Sequence, residues 1–372
     1  MNRPVLAAIV LCAAALPSLA YDVAGMRDAM HSVFDSMRVL LELSQSTASL
    51  ADRGNQRAIL AAAGELADQA SIVSEHAPRD EVSFLAGSLD RYANWIRRSY
   101  EWGRYDTMQR LVHDAVDVCI ACHTRLPSGH DSPLAEGFLS GASIATLPAD
   151  RRAKLQVATR RFDDAMHTLE GLLPEVAGDA ERFDEALRSY LVVAVRVKGD
   201  PRRARQALER LAASNSVSEA RREQLRAVAG ALQRLEVAPP VAADLDSARE
   251  LVNVAEARRN AARGEALVDY VAASRLLYQY LESNAGSVAQ GAEAYYLLGL
   301  TQYRIESNAW LPQAELFLEK AIRTAPGSTS ARRAFALLRA KVQEGFIAQG
   351  QDIPDEVARH LQMLSDMVEA RG

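Results

Sequence analysis

Apolar residues recur every three or four positions through Met26, Met30, Val33, Phe34, Met37, Leu40 and Leu41, a helical period. The spacing returns in Ile59, Leu60, Ala63, Leu66, Ala67, Ala70 and Ile72, within a segment from about Asn55 to His76 that Pro78 ends. A third segment carries Val82, Leu85, Leu89, Tyr92, Trp95, Ile96 and Tyr100, with Asp80 placed to cap it. A fourth starts near Asp106 and carries Met108, Leu111, Val112, Ala115, Val116 and Cys119, stopping before Pro127. No segment alternates as a half-buried strand does. The connections are short, which favours neighbouring antiparallel helices. Residues 21–127 are therefore expected to form a four-helix bundle within an all-α protein.

Residues 128–148, SGHDSPLAEGFLSGASIATLP, interrupt this pattern with Gly, Ser and Pro and read as a linker. From Ala149 to the end at residue 372 the chain is helical again, in paired segments. The clearest pair is Tyr295-x-x-Leu298-Gly299-x-x-x-Tyr303 followed by Ala314-x-x-x-Leu318-x-x-Ala321-x-x-x-x-Pro326. It resembles a tetratricopeptide repeat, with the first Tyr one place late and a longer turn around Trp310-Leu311-Pro312. Gly299, Ala314 and Ala321 would let two helices approach closely while Leu298 and Leu318 fill the space between them. Weaker copies lie around Phe162–Met166, Ala186–Val195 with Ala204–Leu211, Ala272–Tyr280 and Ala331–Val342, and Pro239-Pro240 breaks the array. The expectation for 149–372 is an α-solenoid, whose concave face commonly binds a peptide or another subunit.

Residues 1–20, MNRPVLAAIVLCAAALPSLA, read as a secretory signal: Arg3, an apolar stretch from Val5 to Leu16, and small residues at the cleavage point. The stretch is too short for the ~20 residues a spanning helix needs, and no later run is long enough. A periplasmic location without a membrane span is expected. Cys12 leaves with the signal, so Cys119 and Cys122 are the cysteines of the mature chain. The net charge of -5 argues against nucleic acid, which calls for a basic stripe. Lysine occurs only at 154, 198, 320 and 341, so a cationic docking rim would use arginine.

Those two cysteines belong to Cys119-Ile120-Ala121-Cys122-His123, the C-x-x-C-H attachment signature of a c-type haem. Residues three and four apart share a helix face, so both thiols can bond the vinyl groups of one porphyrin. The imidazole next in line then serves as proximal ligand. A thioredoxin-like use needs a βαβ context and no following His. A zinc site needs a second ligand pair, which two cysteines do not supply. One covalent haem c is expected, held by Cys119 and Cys122, with His123 on the iron.

Haem attached near the end of the last of four helices resembles the cytochrome c′ and cytochrome c-556 family, over roughly residues 22–127. The resemblance rests on Cys119, Cys122 and His123, the helix count, and Arg27-x-x-x-His31. It implies a distal residue on the first helix, four places after an Arg. Here that residue is His31, with neighbouring Met30 as the alternative ligand and an open sixth site as a third possibility. Arg27 and Arg125 are candidates for the haem propionates, since Arg suits bidentate carboxylate binding; a solvated helix surface is the plainer role for each. His76, His113, His130, His167 and His360 read as surface or structural residues. No catalytic set is apparent, so a non-enzymatic role is expected. The first reading is an electron carrier docked by its repeats to a membrane-bound or periplasmic redox partner. The alternatives are a five-coordinate haem that binds nitric oxide or carbon monoxide, and a scaffold stapled by haem.

Overall fold

The computed structural model describes residues 23–75, 80–125, 147–260, 264–283, 286–305, 313–348, 350 and 352–369. The expected signal segment 1–20 and most of the expected linker, through residue 146, lie outside them, as do His76 and His130. Among the described residues there are 16 α-helices, one π-helix and no strand. Among these described residues no helix is long and apolar enough to cross a membrane.

The first apolar stripe forms α1 (Val23–Leu43), the second α3 (Gln56–Glu75), the third α4 (Asp80–Glu101) and the fourth α5 (Tyr105–His123). Helix α3 packs against both α1 and α4. Its buried side chains, Ile59, Ala62, Ala63, Leu66, Ala67, Ala70 and Val73, are largely small, which lets helix axes come close. A short α2 (Thr47–Ala51) was not marked by any apolar period. It exists because the Ser46 hydroxyl accepts the Ser49 amide at 3.1 Å and Leu50 is fully buried. Gly103, at φ 67°, makes the left-handed turn between α4 and α5.

Contacts divide the chain inside α5, into one compact unit ending at Met108 and another starting at Gln109. The second unit continues with α6 (Ala149–Ala158), α7 (Phe162–Glu175) and α8 (Ala180–Leu191), which runs into a π-helical segment, Val192–Lys198. Then come α9 (Pro201–Ala213), α10 (Glu219–Val237), α11 (Leu245–Arg258), α12 (Glu265–Ser283), α13 (Val288–Ile305), α14 (Gln313–Thr324), α15 (Thr329–Ala348) and α16 (Asp355–Glu369). Helices pair with their sequence neighbours: α6 with α7, α9 with α10, α11 with α12, α13 with α14. In the last pair a Cβ on Gly299 would stand 2.8 Å from Leu318 Cγ and 3.1 Å from its backbone nitrogen. The helices touch there because residue 299 has no side chain.

The π-helical segment has a side-chain cause for its termination. Its carbonyls at Val195, Arg196 and Val197 all face Arg275 Nη1, the best of the three bonds at 2.9 Å. Gly199 then turns at φ 65° and its missing Cβ leaves room for the Arg275 guanidinium, 2.7 Å from where that atom would be. Asp200 caps α9 by accepting the Arg203 amide at 2.9 Å, and Pro201 follows at the first helical position, where no amide hydrogen is needed.

Candidate haem-attachment site

Helix α5 carries the C-x-x-C-H residues on its last turn. Met108, Val112, Ala115 and Val116 are buried below them. Cys119, Cys122 and His123 are half-buried, and the cysteines form no disulfide. Three and four residues of separation put all three on one side of the helix. The Cys119 thiol donates to the Ala115 carbonyl one turn back, at 3.4 Å.

Burial pushes the Cys119 thiol up to about 12, with the neighbouring Cys122 and Asp117 adding to the rise. Burial raises Cys122 as well, against the opposing pull of Arg125 and Arg160. Both thiols are therefore protonated at neutral pH. Burial lowers His123 to about 4, against the effect of its bond to Ala158, so the ring is neutral. His123 Nδ1 lies 2.6 Å from the Ala158 carbonyl. A carbonyl only accepts, so Nδ1 carries the proton and the lone pair is on Nε2. This tautomer is the one in which imidazole coordinates a metal through Nε2 with its other nitrogen held by a backbone oxygen.

Two guanidiniums accompany the motif. Arg125 Nε and Nη1, and Arg160 Nε, are buried with no hydrogen-bond partner among the described residues. The Arg125 guanidinium lies 5.2 Å from the centroid of the Tyr278 ring. Buried donors without acceptors are costly, and a group bearing carboxylates would supply acceptors for both. The two thiols, the oriented imidazole and the arginine donors thus suit the groups of a haem: vinyls, iron and propionates. Among the described residues no three His, Cys, Asp or Glu side chains converge as a site for a bare metal ion.

The structure brings Cys119, Cys122, His123 and Arg125 together on α5 and the residues just beyond it. Arg27, Met30 and His31 lie on α1 in the first unit. Arg27 is exposed and His31 half-buried. Met30 packs against Ala29, Val73 and Ala86, in the core shared by α1, α3 and α4. His113 is on α5, its pKa lowered by burial and by Arg151 and Lys154. His167 is exposed, and exposed His360 lies 3.1 Å from Glu319.

Sequence reasoning missed Ala158 and Arg160. They reach the motif from the end of α6, 35 residues from His123 in the case of Ala158. Arg160 adopts φ 61° there, a left-handed conformation that Gly or Asn would have signalled and Arg does not. No family model, curated protein or solved structure matches this chain.

Proposed function

We propose that the protein is an exported mono-haem c-type cytochrome that carries electrons and docks to its redox partner through its helical repeats. The observation that carries the reading is the His123–Ala158 hydrogen bond beside two unoxidised thiols at positions i and i+3. An imidazole oriented from outside its own helix, next to that thiol pair, has its coordinating nitrogen set in advance.

In this reading Cys119 and Cys122, both free thiols, would hold the haem through thioether links to its vinyl groups. His123, its Nδ1 held by the Ala158 carbonyl, would offer Nε2 to the iron. Arg125 and Arg160 bind the propionates. The bound haem supplies a one-electron ferric–ferrous couple. The tetratricopeptide-like pairs of residues 149–372 would present the docking face. Residues 1–20, read as an export signal, would direct the protein to the periplasm.

Met30's role in the core favours two states of the sixth position over thioether ligation. His31 ligation gives a low-spin carrier, and an open site gives a binder of nitric oxide or carbon monoxide. Co-expression with the c-type maturation machinery tests the proposal. The expected product keeps one haem on the denatured chain after acid–acetone extraction, and Cys119→Ala with Cys122→Ala abolishes it. Haem that extracts freely from the wild-type chain refutes the proposal. Absorption and EPR spectra of the same sample separate the low-spin carrier from the gas binder.

A further inference from the structure

Helix α4 meets the core of the first unit with Leu85, Leu89, Tyr92, Ala93, Ile96 and Tyr100, all buried. Trp95 was expected to share that apolar stripe, yet it is 51% exposed, and Trp102 is 63% exposed. These are two of the three tryptophans in the chain. A single exposed apolar side chain needs no explanation. Two of the largest, seven residues apart, do need one, because that spacing puts them on one line along a helix. The Trp102 amide still donates to the Arg98 carbonyl at 3.0 Å, so the helical phase runs through it.

Arg91 and Arg98 stand on the same line, and both are exposed. The outer stripe of α4 therefore reads Arg91, Trp95, Arg98, Trp102, over about 16 Å of helix. Its side chains have local supports. Trp95 lies edge-on to buried Tyr92, with ring centroids 6.1 Å apart. The Arg104 guanidinium lies 5.2 Å from the Trp102 ring centroid. Arg91 donates to the Ser88 hydroxyl at 2.9 Å, and flanking Arg97 donates to the Asn94 side-chain oxygen at 3.2 Å.

The chain carries a net charge of -5, but residues 90–104 hold four arginines against two acids, Asp90 and Glu101. Asp90 accepts from the Asn94 amide at 3.0 Å. Among the described residues Arg91, Arg97, Arg98 and Arg104 form no ion pair. On α3, which packs against α4, the exposed carboxylates are Glu65, Asp68 and Glu75. They fall on the line opposite the side chains that α3 buries, away from its contact with α4. Exposed Asp106, in the first turn of α5, is the remaining nearby acid in sequence. The stripe is a local cationic and aromatic exception on an acidic protein.

We propose that the outer face of α4 seats the protein peripherally on an anionic phospholipid surface. Trp95 and Trp102 enter the headgroup layer, where tryptophan is enriched. Arg91, Arg98 and Arg104 bind lipid phosphates, which guanidinium matches with two parallel hydrogen bonds. A protein partner would need roughly 800 Å² on each side, from about 20–30 residues, whereas one line of side chains on a convex helix supplies a fraction of that. A bilayer surface asks for no complementary shape. Screening over about 8 Å at physiological salt lets the local arginines act against the acidic remainder of the chain. The inference does not rest on haem.

The test is co-sedimentation of the full chain with vesicles of phosphatidylcholine alone and of equimolar phosphatidylcholine and phosphatidylglycerol. Binding to the mixed vesicles is expected to be at least about tenfold tighter, since each arginine near an anionic surface is worth about fivefold. Tryptophan emission should move to shorter wavelength on binding, and added salt should release the protein. Arg98→Glu and Trp102→Ser should each weaken binding at least about fivefold and leave the helical circular dichroism unchanged. Arg226→Glu, at an arginine 63% exposed in the second unit, should bind like the wild type. Absence of binding to the mixed vesicles, equal binding to both compositions, or an equal loss in Arg226→Glu each overturns the proposal. So does self-association, read by sedimentation velocity, that Trp102→Ser abolishes, because the face would then belong to a second copy of the chain.

Discussion

Ending the chain at Pro127 should unfold the very turn that carries the attachment motif. A fragment of residues 21–127 retains the four expected bundle helices, yet the contacts of α5 from Gln109 onward belong to the second compact unit. Three losses can be counted. The His123–Ala158 bond contributes about 1 kcal/mol net. Ile120, half-buried against the core of α6–α10, contributes about 1–2 kcal/mol for partial burial. Ala121 and Thr124, both buried, add about 1 kcal/mol in apolar area. The sum, about 3–4 kcal/mol, is a large share of the 5–15 kcal/mol typical of a whole domain, and it falls on the last two turns of one helix. Those turns should fray, while α1, α3 and α4 keep their own core. Amide hydrogen exchange of the fragment and the full chain reads this directly. Residues Val118–Thr124 should exchange much faster in the fragment, by about two orders of magnitude or more for a loss of 3 kcal/mol, with α3 little changed. Equal protection of Val118–Thr124 in both would show that α5 is held by the first unit alone and would refute the reasoning.

Gly299→Ala gains up to about 1 kcal/mol of helix propensity but drives a Cβ into Leu318 and its backbone, an overpacking cost of about 1–3 kcal/mol; urea unfolding should show a net loss of stability, and an unchanged or raised midpoint would show that α13 and α14 can separate freely. The pKa of His113 is lowered in the folded chain, first by burial and then by Arg151 and Lys154. Its neutral form is thus the favoured one, and stability is lost as pH falls from about 6.5 towards the folded value. His113→Gln should flatten that part of the stability–pH curve, and identical wild-type and variant slopes between pH 7 and 5 would sink this assignment. In the haem-loaded protein His31→Ala should convert a low-spin spectrum to high-spin and admit carbon monoxide, whereas Met30→Ala should cost about 1–2 kcal/mol through the Ala29–Val73–Ala86 contact and leave the spectrum unchanged. A thioether charge-transfer band lost on Met30→Ala would reverse the two roles.

What could be read from the chain was whatever repeats locally. The stripes of α1, α3, α4 and α5 each span several turns, so their period stands out and their limits fall within a few residues of the expected ones. Ala149 was readable as the start of the second helical region because Pro148 precedes it, and α6 begins there. Gly299 was readable because a small residue between two large apolar ones has a packing reason. The short α2 was not, since one capping serine and one buried leucine make no period. The π-helical turn was not, because the group that donates to its freed carbonyls, Arg275, is nearly 80 residues downstream. The hydrogen bond that sets the His123 tautomer depends on a backbone oxygen, and a backbone oxygen leaves no trace in residue identity.

The same limit explains why the motif could be named from five residues while its surroundings could not. Cys119, Cys122 and His123 define one face of α5 by spacing alone. Asp117, Ile120, Ala121 and Thr124 define the opposite face by the same arithmetic, but spacing cannot say whether such a face meets solvent, core or a cavity. Only the packing of α6–α8, the π-helical segment and α13 answers that, and it answers with an apolar wall bordered by Arg196 and Gln302. Ile120 is then more than a spacer between two thiols. It packs on the core of the second unit and borders the cavity, so a change there acts on the turn that holds His123. The thiols and imidazole on one face of α5 and the cavity on the other share that turn.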